Sequence, residues 1–228
     1  MIAEHIPERV AVITGDLVGS KRYSRDQRQR LDLLLKESAT TAGEILPEAI
    51  YAPLSFSVVQ GDEFQFVLQR PQDAYGFVVL MRTLLRTSGL SPTPSFRSAI
   101  GIGELTVGKG DSSYAMDGSA FHFAREGLNS LEKQGTGRER STKLLTGAPE
   151  RDHWFDILLM YQDLLENRWT ALQRETIRYR LQHQTYELIG KELRITKQGV
   201  EKRLRAAYWD EFSRGMDFIS KALSLSKG

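Results

Sequence analysis

The chain of 228 residues contains no cysteine. That excludes disulfide frameworks, cysteine-ligated zinc, iron–sulfur clusters and thiol nucleophiles, and it suits a reducing compartment. Histidine is scarce too: the four residues, His5, His122, His153 and His183, show no paired spacing of the kind that holds zinc. No nucleophile elbow of the G-x-S-x-G type is present, and GKGDSS at 108–113 lacks the spacing and Lys-Ser/Thr pair of a phosphate loop. Nowhere do about 18 apolar residues run together, and Glu4, Glu8 and Arg9 stand where a signal peptide would be basic and then apolar. A cytoplasmic protein with no membrane partner is expected. Net charge is nearly absent as well, at +2.

What is present is an ordinary globular composition, 40% hydrophobic and 26% charged. The near-neutral sum hides an asymmetry: residues 168–205 carry ten Lys and Arg against four Asp and Glu. A local excess of this kind is the footprint of a segment that meets a polyanion.

Local patterns predict strands and helices in alternation up to about residue 150. Arg9–Thr14 is a β-branched run ended by Gly15-Asp16, read as a strand entering a turn. Ser24 with Gln27 forms a capping box before a helix from Arg25 to Ile45. Residues 51–60 and 63–69 read as a hairpin around Gly61-Asp62, Pro71 opens a helix that runs to Gly89, and 96–105 is a further strand. The order strand, helix, strand, strand, helix, strand is the split βαβ, ferredoxin-like order, which puts the first and third strands side by side in an antiparallel sheet. A helix over 118–131 and an edge strand over 143–146 follow. After residue 152 only helices are predicted: 152–167, 170–181 behind a Thr170–Gln173 capping box, 186–193 and 197–212. The expectation is an α+β domain over 1–150 and a helical domain over 151–228.

Two acidic turns, Thr14-Gly15-Asp16 and Gln60-Gly61-Asp62-Glu63, end neighbouring central strands in that order. Gly-Asp by itself commonly does no more than close a turn. Carboxylates delivered side by side from rigid strands also suit Mg²⁺, which takes a few protein oxygens and leaves the rest to phosphate and water.

The blocks VITGDLVGSK (12–21), GDEFQF (61–66), AIGIGEL (99–105) and DGSAFHFARE (117–126) resemble, in order, those of the palm-like fold of class III nucleotidyl cyclases and GGDEF diguanylate cyclases. Over its whole length the chain resembles the SatD family, which couples such a domain to a helix-turn-helix. The resemblance implies metal ligation by Asp16 and Asp62, with the Leu17 carbonyl and Glu63 beside them, and Mg²⁺ or Mn²⁺ as cofactor. It implies a triphosphate held by the loop of Val18, Gly19 and Ser20, with Lys21 and Gly61 nearby. Arg125 matches the arginine that steadies the transition-state phosphate in the cyclases. Two positions depart: Gln60 stands where the GGDEF signature has its first glycine, and Phe121 where the late helix has an asparagine. Binding is therefore better supported than turnover.

The stretch TYELIGKELRITKQGVEKRL (185–204) resembles the helix-turn-helix of sigma-factor region four. That likeness places the three-residue turn at Arg194-Ile195-Thr196, with Thr196 capping a recognition helix. Lys197, Gln198, Glu201, Lys202 and Arg205 point outward, and Leu172, Ile177, Leu181, Leu188, Ile189, Leu193, Val200 and Leu204 point inward. Such charges are also the ordinary solvated face of a small bundle. The reading that follows is a bacterial regulator that binds a nucleotide with Mg²⁺ and double-stranded DNA as a homodimer. The alternatives are an active nucleotidyl cyclase or nucleotidyltransferase using two metal ions, and a degenerate palm serving as a scaffold beside a DNA-binding module.

Overall fold

The computed structural model describes residues 9–49, 57–60, 62–106, 117–133 and 140–225. Among the described residues five strands form one mixed sheet: β1 (Val10–Leu17), β2 (Ser57–Gln60), β3 (Glu63–Leu68), β4 (Phe96–Gly103) and β5 (Thr142–Leu145). Their order is β2-β3-β1-β4-β5, so β1 and β3 are neighbours at the centre, as the split βαβ order requires. The first four strands pair antiparallel, and β5 adds to β4 in parallel. The architecture is α+β.

Two helices, α1 (Arg25–Ile45) and α2 (Ala74–Arg86), cover one face of the sheet, and α3 (Ser119–Lys133) covers the other. The Ser24–Gln27 capping box is formed reciprocally and starts α1 where the sequence places it. Alternation along the strands sorts the side chains. Ala11, Ile13, Phe64, Phe66, Ile100 and Ile102 join the core under α1 and α2, while Val10, Val12 and Val67 meet Ala120 and Ala124 of α3.

The strand predicted to stop at Thr14 continues to Leu17. Gly15 and Asp16 are strand residues, paired to β3 on one side and to β4 on the other, so their backbone groups are satisfied by the ladder. Gly15 is needed there for room rather than for a turn, because a Cβ would lie 2.4 Å from the Phe64 ring.

The remaining helices are α4 (Pro149–Arg168), α5 (Ala171–Leu181), α6 (Tyr186–Leu193), α7 (Lys197–Ala206) and α8 (Trp209–Ser224). The predicted single helix over 197–212 is two. Tyr208 takes a left-handed conformation with φ of 55°, which turns Trp209 and Phe212 back onto Trp169. Leu172 and Leu188, predicted to point inward, are 56% and 50% exposed; burial is carried by Ile177, Ile189, Val200 and Leu204. The larger apolar cluster is continuous from Ala11 to Leu223.

A buried polar cluster ties α2 to β4, β5, α4 and α5. Arg82, fully buried, donates to Glu166 at 2.6 Å, Thr142 Oγ1 at 3.0 Å, and Ser98 Oγ and the Ser141 carbonyl at 3.3 Å. Asp163, 3.7 Å from Arg82, accepts from the Ser141 and Thr142 N–H groups and the Thr142 hydroxyl. Arg174 donates to the Glu166 carbonyl at 2.6 Å. Among the described residues no helix is long and apolar enough to cross a membrane.

Candidate functional site

The strand ladder brings charged residues together on the α3 face of the sheet. Asp16 lies opposite Glu63 of β3 and opposite Arg97 of β4. Arg97 grips the carboxylate with both arms of its guanidinium, Nε to Oδ1 at 3.2 Å and Nη2 to Oδ2 at 2.7 Å. Such a fork-to-fork pair is among the stronger charge-assisted contacts. Arg125 of α3 donates to Glu63 at 2.9 Å. One strand step inward, Gln65 and Thr14 are in contact through Nε2 and Oγ1 at 3.5 Å. The result is two adjacent carboxylates, each held by a guanidinium on its outer side, with Asp16 nearly buried and Arg125 nearly half exposed.

Asp62 precedes β3 and is half-buried; its carbonyl accepts from the Leu17 N–H at 3.1 Å. The Leu17 side chain itself is a core residue. Gly61 lies outside the described residues. Beyond Leu17 the chain enters the 3-10 turn Ser20–Arg22 behind Gly19, whose φ is 69°. The Val18 N–H is spent on the Ser95 carbonyl at 2.9 Å, so it is not a phosphate donor, whereas the N–H groups of Gly19 and Ser20 have no backbone acceptor among the described residues. Arg22 curls back on the Val18 and Gly19 carbonyls, leaving Lys21 exposed. Phe121 is partly buried against the α3-side core.

The donor types suit Mg²⁺, being hard carboxylate and carbonyl oxygens. Each of Asp16 and Glu63 is neutralised by an arginine, and among the described residues no group of three His, Asp or Glu side chains is gathered that could hold a metal by itself. Arg97 is the residue that sequence reasoning missed. Its signal was a lone charge in FRSAIGIG, and its partner is fixed by cross-strand register, which local pattern does not contain.

The second candidate is the pair α6 and α7. Thr185 caps α6 by accepting from Leu188 N–H at 3.3 Å, and Thr196 caps α7 by accepting from Gly199 N–H at 3.1 Å. Between them Arg194 is left-handed, with φ of 53°. The Ile195 N–H returns to the Gly190 carbonyl at 2.9 Å and the Arg194 N–H to Lys191 at 3.3 Å, the two bonds of a Schellman termination. Gly190 lets the turn close: a Cβ there would lie 2.8 Å from the Ile195 carbonyl. Ile189, Val200 and Leu204 are buried beneath. Lys197, Gln198, Glu201, Lys202 and Arg205 are all exposed. Lys197 meets Glu187 and Arg205 meets Glu201, both at 2.6 Å; the Lys197 hydrogen bond holds the Glu187 carboxyl below the usual range.

A family model described as the SatD family matches residues 9–215. No curated protein matches the chain.

Proposed function

The chain belongs to the SatD family, and on that premise we propose that it is a DNA-binding regulator whose sheet face responds to a nucleotide. The α6–α7 pair carries the DNA reading. A short capped helix, a three-residue turn that pivots on left-handed Arg194 and a second capped helix with a polar outer face form the shape that enters a major groove. In this reading α7 is the recognition helix. Thr196, Lys197 and Gln198 lie at its groove-facing N-terminus, while Lys202 and Arg205 neutralise phosphates. The carboxylates beside Lys197 and Arg205 do not oppose it, since solvent-exposed ion pairs are weak and yield to phosphate.

Fluorescence anisotropy with duplex DNA tests this. Affinity should fall steeply with salt, and Lys202→Ala should reduce the salt slope by about one counterion. Binding indifferent to salt and to both Lys202→Ala and Arg205→Ala would sink the reading.

The adjacent carboxylates with guanidiniums on either side favour a magnesium–triphosphate ligand over either ion alone. Such a ligand offers a cation to carboxylates and phosphate oxygens to guanidiniums, so both existing ion pairs can be exchanged without stranding a charge. Asp16, Asp62 and Glu63, with the Leu17 carbonyl, would hold the metal, which supplies neutralisation of the phosphate charge. Arg97, Arg125, Lys21 and the free N–H groups of Gly19 and Ser20 would face the phosphates. Phe121, packed into the core, supplies no polar group for a transition state, so the ligand is bound rather than turned over. Nucleoside triphosphates with Mg²⁺ or Mn²⁺ should raise the melting temperature, and Asp16→Ala should abolish the rise. A metal-dependent cyclic or linked product lost in Asp16→Ala would make the protein a nucleotidyl cyclase or nucleotidyltransferase instead. No thermal response to any nucleotide would leave the sheet as a scaffold.

A further inference from the structure

Helix α4 uses only one of its sides. Phe155, Leu159, Gln162, Asp163 and Glu166 are buried against the rest of the fold. The opposite side carries Trp154, Ile157, Met160, Tyr161 and Leu164, all exposed, Trp154 by 68% and Tyr161 by 56%. Single exposed apolar residues are unremarkable, but a contiguous stripe of five large ones on one helix marks an interaction surface.

The spacing says what kind. Glu150, Trp154, Ile157, Tyr161, Leu164 and Arg168 are separated by four, three, four, three and four residues, the repeat of a coiled-coil seam, and all six are exposed. The seam starts with an acid and ends with a base. Its positions are also symmetric about residue 159: 150 with 168, 154 with 164, and 157 with 161. Two copies of α4 laid antiparallel across that point set Trp154 on the other copy's Leu164 and Ile157 on its Tyr161. Glu150 then meets Arg168 at both ends. A parallel pair would instead face Glu150 with Glu150 and Arg168 with Arg168. We propose that the protein forms a homodimer through an antiparallel, twofold-symmetric packing of α4 on α4. A self-complementary pattern is what an isologous interface demands and what an unrelated partner would not need. A membrane is disfavoured because interfacial helices keep a polar, basic opposite face, and the opposite face of α4 is buried in the fold.

The proposal does not depend on DNA or nucleotide binding, because its readout is oligomeric state. Sedimentation equilibrium of the full chain should show a dimer. The double variant Trp154→Glu/Tyr161→Glu should be monomeric with an unchanged circular dichroism spectrum. Glu150→Lys and Arg168→Glu should each weaken the dimer roughly tenfold, because each creates two like-charge contacts. Their combination should recover the wild-type constant. A monomeric wild type, a dimer untouched by the double apolar variant, or a charge swap without recovery overturns the proposal. So does a monomer that sediments with anionic phospholipid vesicles through this stripe.

Discussion

Arg82→Met is expected to lower stability by about 3–5 kcal/mol, the range seen when one partner of a buried ion pair is removed and the other stays behind. At roughly 2–4 °C per kcal/mol for a chain of this size, the melting temperature should fall by about 10 °C. Methionine fills much of the volume over the Phe96 ring, so packing is not the main loss. What is lost is the cation between Glu166 and Asp163 and the donors to Ser98, Ser141 and Thr142. Arg82→Lys should recover little, because an ammonium cannot reach acceptors on three elements as the planar fork does.

The deficit should also depend on pH. Burial pushes the Asp163 carboxyl up to about 6, against the pull of the Arg82 guanidinium and of its hydrogen bonds from Ser141 and Thr142. A carboxyl with a raised folded-state pKa gives stability that is fully present below its unfolded value and lost as pH rises through the folded one. For the native protein that window runs from about pH 4 to about pH 6. Without Arg82 the pKa rises further, so Arg82→Met should be closer to wild type at pH 5 than at pH 7.5. Urea titrations at the two pH values check this; an equal deficit at both would mean that charge is not what Arg82 supplies.

Trp169→Ala should cost a comparable amount, about 3–5 kcal/mol, for a different reason. Trp169 is the joint between α4 and α5, packed edge-on against Phe212 with ring centroids 4.7 Å apart. Its indole N–H donates to the Ala207 carbonyl at 2.9 Å, where α7 ends. Truncation opens a cavity at the base of α7 and orphans that carbonyl, so hydrogen exchange should accelerate in α6 and α7 before it does in the sheet. Trp169→Phe keeps most of the packing and loses the hydrogen bond, worth about 1 kcal/mol. Equal exchange rates across the molecule in Trp169→Ala would show that the helical end is not seated on this residue.

Local signals with a mechanism were legible in the sequence to the residue. The capping boxes at Ser24 and Thr170 marked the starts of α1 and α5, and Thr196 marked that of α7. Misreadings came where a distant partner decided. Gly15-Asp16 has the composition of a turn, yet two flanking strands hold it extended. Residues 197–212 have helical spacing throughout, yet Tyr208 breaks the helix so that Trp209 can reach Trp169. Of the candidate site, the residue types and the adjacency of Asp16 and Glu63 were readable. Arg97 was not assigned and Arg125 was named without its partner Glu63, because those pairings join β1 to β4 and β3 to α3 across the fold.

Arg194 and Tyr208, which bound α7, and His183, which precedes α6, are left-handed without being glycine, a conformation disfavoured by roughly 1–2 kcal/mol each. Helices of eight and ten residues are, in addition, too short to persist alone in water. Neither the turns nor the helices of this pair are therefore self-sustaining. A peptide excised around them would be a coil, and the shape presented at α7 exists only while Ile189, Val200 and Leu204 are held by the body beneath. The outer surface of α7 is in that sense a display of the interior, and whatever loosens the interior erases it.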